Sequence, residues 1–337
     1  MPTGWSEPGL SPLPDLASLN LVKPTVIPVV VVSGFLGSGK STLINRWLGG
    51  SDNADTALIV NEIGEIGLDH LIVEHTREDT ILLSNGCLCC AVQSDLVNTL
   101  RELLARRERA ELPRYRRVII ETSGLADCVP IIQSFWSDPL QLSVYELDHL
   151  CVTVDAQLGI QTLASHHTAR RQVAMADRLL LTKLDIDRDA GLELREQLAE
   201  TESVPVQNAV DSSPFINRCA IVDSTPTHVP SSHSDGHLKD YQTATIRFAG
   251  VVNRKKLMTT LRRLCDDHGD GLLRVKGLVR FEEDTRSHAI QAVQHILATP
   301  AVVNHATEDS WIEFIALREL HSSAEQLAQR LHDAVAP

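Results

Sequence analysis

Val29-Val30-Val31-Val32-Ser33-Gly34-Phe35-Leu36-Gly37-Ser38-Gly39-Lys40-Ser41 is the stretch on which the fold turns. Its unbroken β-branched run has the pattern of a strand buried on both faces of a parallel sheet. The glycines that follow let the backbone aim its amides at the β- and γ-phosphate oxygens of a nucleotide. A helix starting near Ser41 then adds its positive end. Lys40 is expected to reach those phosphates, and the Ser41 hydroxyl to ligate Mg²⁺. Gly34, Gly37, Ser38, Gly39, Lys40, Ser41 and Thr42 thus form the expected phosphate cradle.

Strand-like runs recur downstream at Ala57–Asn61, Arg117–Glu121, Cys151–Asp155, Arg178–Thr182 and Val204–Asn208, with helical patterns between them. One helix is expected after an N-cap at Ser94, with Leu96, Leu100, Leu103 and Leu104 on one face. The alternation predicts an α/β P-loop NTPase with an open, mainly parallel sheet and ligands at the carboxyl ends of its strands. Asp211–Leu238 is rich in Ser, Pro, Asp and His and reads as a linker. Beyond it, strands are expected at Tyr241–Phe248, Gly271–Phe281 and Ser310–Leu317. Helices are expected at Asn253–Asp266, His288–Leu297 and Ser322–Ala334. This is a smaller C-terminal α+β domain. The domains read as 1–24, a disordered arm; 25–212, the nucleotide domain; 213–239, the linker; and 240–337, the C-terminal domain.

The bulk composition, 43% hydrophobic and 22% charged, is that of a soluble globular protein, and the net charge of -13 argues against nucleic acid or an anionic membrane as partner. Seven arginines between Arg101 and Arg117 are the local exception, read as a solvated helix face. Nothing near Met1 reads as a secretory or targeting segment, so the chain is expected in a reducing compartment, the cytoplasm.

There, three thiols in the six residues Asn85-Gly86-Cys87-Leu88-Cys89-Cys90 point to metal or redox chemistry. Cys87, Cys89 and Cys90 as thiolates suit Zn²⁺ or Cu(I), and a set of three leaves a fourth position open for transfer. Cys128, Cys151, Cys219 and Cys265 read as buried, small apolar residues. Glu121 ends a strand where the magnesium-side carboxylate is needed, and Gly124 follows, able to offer its amide to the γ-phosphate. In Thr182-Lys183-Leu184-Asp185, the Asp185 carboxylate can accept from both the ring N–H and the exocyclic amine of guanine, while Lys183 lies along the base. Glu62 and Glu65, in Asn61-Glu62-Ile63-Gly64-Glu65, stand between cradle and cysteines, where a carboxylate can meet Mg²⁺, a water or the thiol-bound metal. His228, His233 and His237 fall in the linker, either as metal capture or as idle polar residues.

These strings together resemble the CobW-like metallochaperone GTPases, relatives of UreG and HypB. The resemblance rests on the cradle, Asn61–Asp69, Asn85–Cys90, Glu121–Asp127, Val154–Ala156, Ala176–Asp185 and the C-terminal Leu272-Leu273-Arg274-Val275-Lys276-Gly277. It implies a weakly hydrolysing GTPase that uses GTP, Mg²⁺ and Zn²⁺ and delivers zinc or a related divalent metal to a metal-requiring client protein. It also points to a nucleotide- or metal-dependent homodimer. Lys40, Glu62 and Glu121 are then the catalytic set, Ser41 and Glu121 the Mg²⁺ ligands, and Cys87, Cys89, Cys90 and Glu62 the Zn²⁺ ligands. Thr182 departs from the asparagine common in the guanine motif. Two competing readings of the same residues are a metal sensor or storage protein with vestigial hydrolysis, and a small-molecule kinase with a structural zinc.

Overall fold

The computed structural model describes residues 26–50, 55–61, 81–84, 92–137, 144–201, 204–215, 240–303 and 310–335. The expected arm, most of the expected linker and the cysteine loop lie outside the described residues.

The first unit is built on β1 (Ile27–Gly34), β2 (Thr56–Asn61), β3 (Ile81–Ser84), β4 (Arg117–Thr122), β5 (Tyr145–Asp155), β6 (Arg178–Thr182) and β7 (Val206–Asn208). They form a seven-stranded sheet in the order β3-β2-β4-β1-β5-β6-β7. Each neighbouring pair is parallel, so helices must cross over between strands and cover both faces. Those helices are α1 (Lys40–Leu48), α2 (Val92–Glu108), α3 (Val129–Ser137), α4 (Gly159–Ser165), α5 (His167–Met175) and α6 (Arg188–Thr201).

The two-sided burial explains the valine run. Val29 and Val31 join Val118, Ile120, Val152 and Leu181 in one core, under Leu100 and Leu103 of α2 and Ile132 and Phe135 of α3. Val30 and Val32 face the other way, against Leu43, Ile44 and Trp47 of α1. Each such fully buried aliphatic side chain stabilises the fold by about 1.5–3 kcal/mol. The arginine-rich stretch behaves as a solvated face: Arg101 is exposed between buried Leu100 and Leu103, and Arg109 pairs with Glu111 at 2.6 Å. The expected cap at Ser94 is corrected, because α2 already begins at Val92. A serine in the first turn carries the same local signal as one at the cap.

The second unit comprises β8 (Tyr241–Phe248), α7 (Arg254–His268), β9 (Leu272–Phe281), β10 (Asp284–Val293), β11 (Ile296–Leu297), β12 (Ala301–Val303), β13 (Ser310–Leu317) and α8 (Ala324–Val335). Its antiparallel sheet runs β11-β10-β9-β13-β8, with β12 on β10. Asn253 caps α7, its side chain accepting from the Lys256 amide at 3.0 Å. The helix expected over His288–Leu297 is overturned. That segment lies mainly in β10 and β11, paired in register with β9 from Asp284↔Phe281 to Ala292↔Val275. His288, Ile290 and Ala292 are buried, while Ala289 and Gln291 are half-buried, which is a strand's period of two. Alanine and glutamine favour a helix in isolation, but cross-strand pairing outweighs that weak preference.

The two units share one apolar core, since Tyr241, Leu273, Val293 and Ile315 pack within the cluster built on the parallel sheet. A buried ion pair crosses the same boundary, from Arg274 of β9 to Asp177 just before β6. Arg274 is only 1% exposed. Removing one partner of such a pair typically costs about 3–5 kcal/mol, because the other charge is left buried. Among the described residues, no helix is long and apolar enough to cross a membrane.

Candidate nucleotide and metal site

The site begins where β1 runs out. Gly34, Gly37 and Gly39 take φ of +142°, +70° and +88°, values that L side chains rarely adopt. A Cβ on Gly34 would stand 2.3 Å from the Thr153 hydroxyl of β5, so the loop can follow its path only with glycine there. Ser38 then closes the turn, its amide donating to the Phe35 carbonyl at 3.1 Å and its hydroxyl meeting that of Thr153 at 2.7 Å. Lys40 starts α1 and turns its ammonium back into the loop, donating to the Gly34 and Phe35 carbonyls at 2.9 and 3.3 Å. Ser41 and Thr42 lie on the exposed side of the first turn.

β4, the neighbour of β1, delivers the carboxylate. The Ser41 hydroxyl donates to Glu121 Oε1 at 2.6 Å, although 80 residues separate the two in sequence. A hydroxyl oxygen beside a carboxylate is a hard donor set with one negative charge, which fits Mg²⁺, an ion that fills its other positions with water and phosphate oxygens. Glu121 is buried at 3% exposure, so its orientation is set by packing. After it, Thr122 donates to the Ser33 hydroxyl at 2.9 Å, locking β4 to β1 at the edge of the cradle. Gly124 follows, and a Cβ there would come within 2.6 Å of the Leu36 amide nitrogen. The loop beyond β4 therefore rests directly on the phosphate loop.

β6 supplies the third side. Thr182 donates its hydroxyl to the Ser38 carbonyl at 2.7 Å, with the Val154 carbonyl at 3.3 Å. The residue that departs from the usual asparagine thus ties the motif strand to the phosphate loop through its one donor. Lys183 adopts φ of +58° and pairs with Asp155 Oδ2 at 2.6 Å. The other oxygen of Asp155 accepts the amides of Gln157 and Leu158 at 2.8 and 3.2 Å, organising the turn into α4. Asp185 stands exposed beyond the strand end, and the Asp187 side chain accepts the Ala190 amide at 3.0 Å in the first turn of α6.

The structure therefore gathers the cradle, Glu121, Gly124, Thr182, Lys183 and Asp185 along the carboxyl edge of β1, β4 and β6. Glu62, Glu65, Cys87, Cys89, Cys90, His228, His233 and His237 lie outside the described residues. Among the described residues, no group of three or more His, Cys, Asp or Glu is placed to hold a metal ion. The strand ends that frame the cysteine segment are described, however. Asn61 is level with Thr122, and Ser84 is level with Val60, itself level with Glu121. Glu62 and Asn85 each follow directly from one of these ends.

Cys128, Cys151 and Cys265 are buried free thiols. Burial pushes the thiols of Cys128 and Cys265 up to about 12, so neither supplies a thiolate near neutral pH. Two neighbours of the site escaped the sequence reading. Thr153 is a polar residue near the end of an apolar strand, a signal that was present. Gln172, which donates to the Gly124 and Ala126 carbonyls at 3.2 and 3.1 Å, left no local trace.

Two family matches cover most of the chain. The CobW/HypB/UreG nucleotide-binding domain matches residues 28–208, and the cobalamin synthesis protein cobW C-terminal domain matches residues 241–335. Among curated relatives, the zinc chaperone YjiA of Escherichia coli is 29% identical over 278 residues, covering 80% of this chain and 87% of that protein. The zinc chaperone CobW of Pseudomonas aeruginosa is 34% identical over 227 residues, covering 58% of this chain and 56% of that protein. The crystal structure of the Zn(II)-bound YjiA GTPase from E. coli superposes with a TM-score of 0.65 at 25% identity, covering 92% of this chain and 98% of that one.

Proposed function

The chain belongs to the CobW/HypB/UreG family of nucleotide-binding domains and carries the cobW C-terminal domain, and from that premise we propose that it is a GTP-hydrolysing metallochaperone. Its cargo is Zn²⁺ or a related divalent metal, held by Cys87, Cys89, Cys90 and Glu62 and released to a metal-requiring client protein when GTP binds. The observation that carries this reading is the register at the carboxyl edge of the sheet. Strands β2 and β3, which precede Glu62 and Asn85 in sequence, end at Asn61 and Ser84, level with Thr122 and with Val60, itself the register partner of Glu121. Adjacent strands lie about 4.8 Å apart, so both strand ends fall within about 10 Å of Glu121, the proposed magnesium-side carboxylate.

In this mechanism Lys40 gives up its loop carbonyls for the β- and γ-phosphates, and the cradle amides bind the same oxygens. Ser41 and Glu121 hold Mg²⁺, which when bound neutralises charge on the terminal phosphates. Gly124 offers its amide to the γ-phosphate, Thr182 keeps the loop on β6, and Asp185 accepts from guanine while Lys183 covers the base. Glu62 directs the attacking water. A single carboxylate next to Asn61 serves either that water or the zinc, so hydrolysis and metal retention draw on one group. The chain acts in the cytoplasm, with a client and a second copy of itself as partners rather than nucleic acid or membrane.

Purified protein tests this directly. It is expected to prefer GDP to ADP by at least tenfold in a fluorescent-nucleotide titration and to release phosphate from GTP slowly. Lys40→Ala is expected to abolish that release. Zinc retained after dialysis should fall from one ion per chain to none in Cys87→Ser. A preference for ATP with zinc that does not exchange would replace this account with the kinase reading. Phosphate release indifferent to zinc would replace it with the sensor reading.

A further inference from the structure

Helix α5 touches the nucleotide loop at one end and the C-terminal domain at the other, and it has no assigned role. At its centre Gln172, 2% exposed, donates its amide to the Gly124 and Ala126 carbonyls at 3.2 and 3.1 Å. Beside it Arg171 pairs with Asp127 Oδ2 at 3.2 Å. The residues after Glu121 are thus held from one helix at three points, the Gly124 and Ala126 carbonyls and the Asp127 carboxylate. Gln172 Oε1 has no partner among the described residues, so the two carbonyls set the orientation of this amide.

The far end of α5 is held by the second unit. Arg274 of β9 donates through Nη1 to the Met175 carbonyl, the last residue of α5, and through Nη2 to Asp177 Oδ1. Asp177 Oδ2 accepts the Leu150 amide of β5 at 2.8 Å, which fixes the carboxylate that receives Arg274. Arg170 adds a second tether to Asp240, next to β8, at 2.7 Å, while its other nitrogen caps α4 on the Leu163 and Ala164 carbonyls. Hydrogen bonds at either end of the last turn of α5, joined by its backbone, therefore link Arg274 at Met175 to Gln172 and Gly124, which rests on the Leu36 backbone of the phosphate loop.

We propose that Arg274 and Gln172 are positioning residues for the nucleotide site, fixing through α5 the Gly124–Ala126 backbone that senses the terminal phosphate. This rests on the GTP reading above. Only a triphosphate meets the Gly124 amide, so loosening the path weakens GTP binding and turnover and leaves GDP untouched. By linkage, a molecule that binds the C-terminal sheet and displaces Arg274 changes the preference for GTP over GDP by the factor by which GTP changes its own affinity.

The test uses full-length Gln172→Leu and Arg274→Met, with Arg274→Lys as a second variant that keeps the buried charge but reaches fewer acceptors. Hydrogen exchange in nucleotide-free protein is expected to quicken at least tenfold across residues 121–128 in Gln172→Leu and Arg274→Met, with β1 unchanged. GTP-analogue affinity and turnover are expected to fall about tenfold with GDP affinity within twofold. Combining Gln172→Leu with Arg274→Lys should add little to the larger single effect, as expected for two members of one path. Unchanged exchange over 121–128 in both Arg274 variants overturns the proposal, and so does an equal loss of GDP and GTP-analogue affinity. If wild-type protein shows no guanine preference, the functional reading fails on that result while the exchange data still decide the path.

Discussion

Thr182→Val exchanges a hydroxyl for a methyl of nearly the same shape and removes the bond from Thr182 Oγ1 to the Ser38 carbonyl at 2.7 Å, with its longer contact to the Val154 carbonyl at 3.3 Å. Thr182 is 7% exposed and Ser38 3%, so water has little access to the orphaned carbonyl. A neutral hydrogen bond contributes about 1 kcal/mol net, and an unsatisfied buried acceptor costs about 1–3 kcal/mol. The expected destabilisation is therefore about 1–3 kcal/mol. Much of it falls on the loop, because Thr182 is what holds Ser38 from the β6 side. If the loop leaves its cradle conformation, apparent affinity falls in proportion to the competent fraction, and about 1.4 kcal/mol corresponds to a tenfold loss. Urea unfolding gives the first quantity and fluorescent-GDP titration the second, with Thr182→Ser as the control that keeps the donor. A valine variant as stable and as tight-binding as the serine variant would refute the assignment of Thr182 as the tie.

Glu121→Gln keeps an acceptor near Ser41 but removes the charge, so GDP affinity measured with Mg²⁺ should drop to its value in EDTA, whereas wild type should differ between the two by at least tenfold. Thiol labelling of native, zinc-free protein at pH 8 should leave Cys128, Cys151 and Cys265 unmodified until denaturant is added, because all three are buried and two have raised pKa values. Mass spectrometry after zinc is restored should show Cys87, Cys89 and Cys90 newly protected, and protection anywhere else would move the metal site.

The parallel sheet was legible because burial on both faces demands continuous apolar strands, which the runs at Val29–Val32 and Leu179–Leu181 satisfy. Legibility failed where polar residues enter a strand. β5 begins at Tyr145 rather than Cys151, since Glu146, Asp148 and His149 interrupt the apolar pattern. It failed again at β10, where helix-favouring residues are drafted into a hairpin with β9. In the candidate site, the meeting of Lys40, Ser41 and Glu121 at one sheet edge was legible because the glycine loop motif and the carboxylate closing a later strand fix both residue type and place. Asp155 was readable only as part of a resemblance, without its partner Lys183. Gln172 was out of reach and Arg274 was readable only within the C-terminal signature, because each donates to backbone carbonyls far along the chain, where no residue type is required.

The most direct test of GTP-coupled metal delivery is the Zn²⁺ affinity of the full chain, measured by chelator competition with GDP and then with a non-hydrolysable GTP analogue plus Mg²⁺. The account predicts zinc held at least tenfold more weakly in the GTP-analogue state, a coupling of about 1.4 kcal/mol, and no such shift in Cys87→Ala. Equal zinc affinity in the two nucleotide states would contradict it and leave the thiols and the phosphate loop as independent sites.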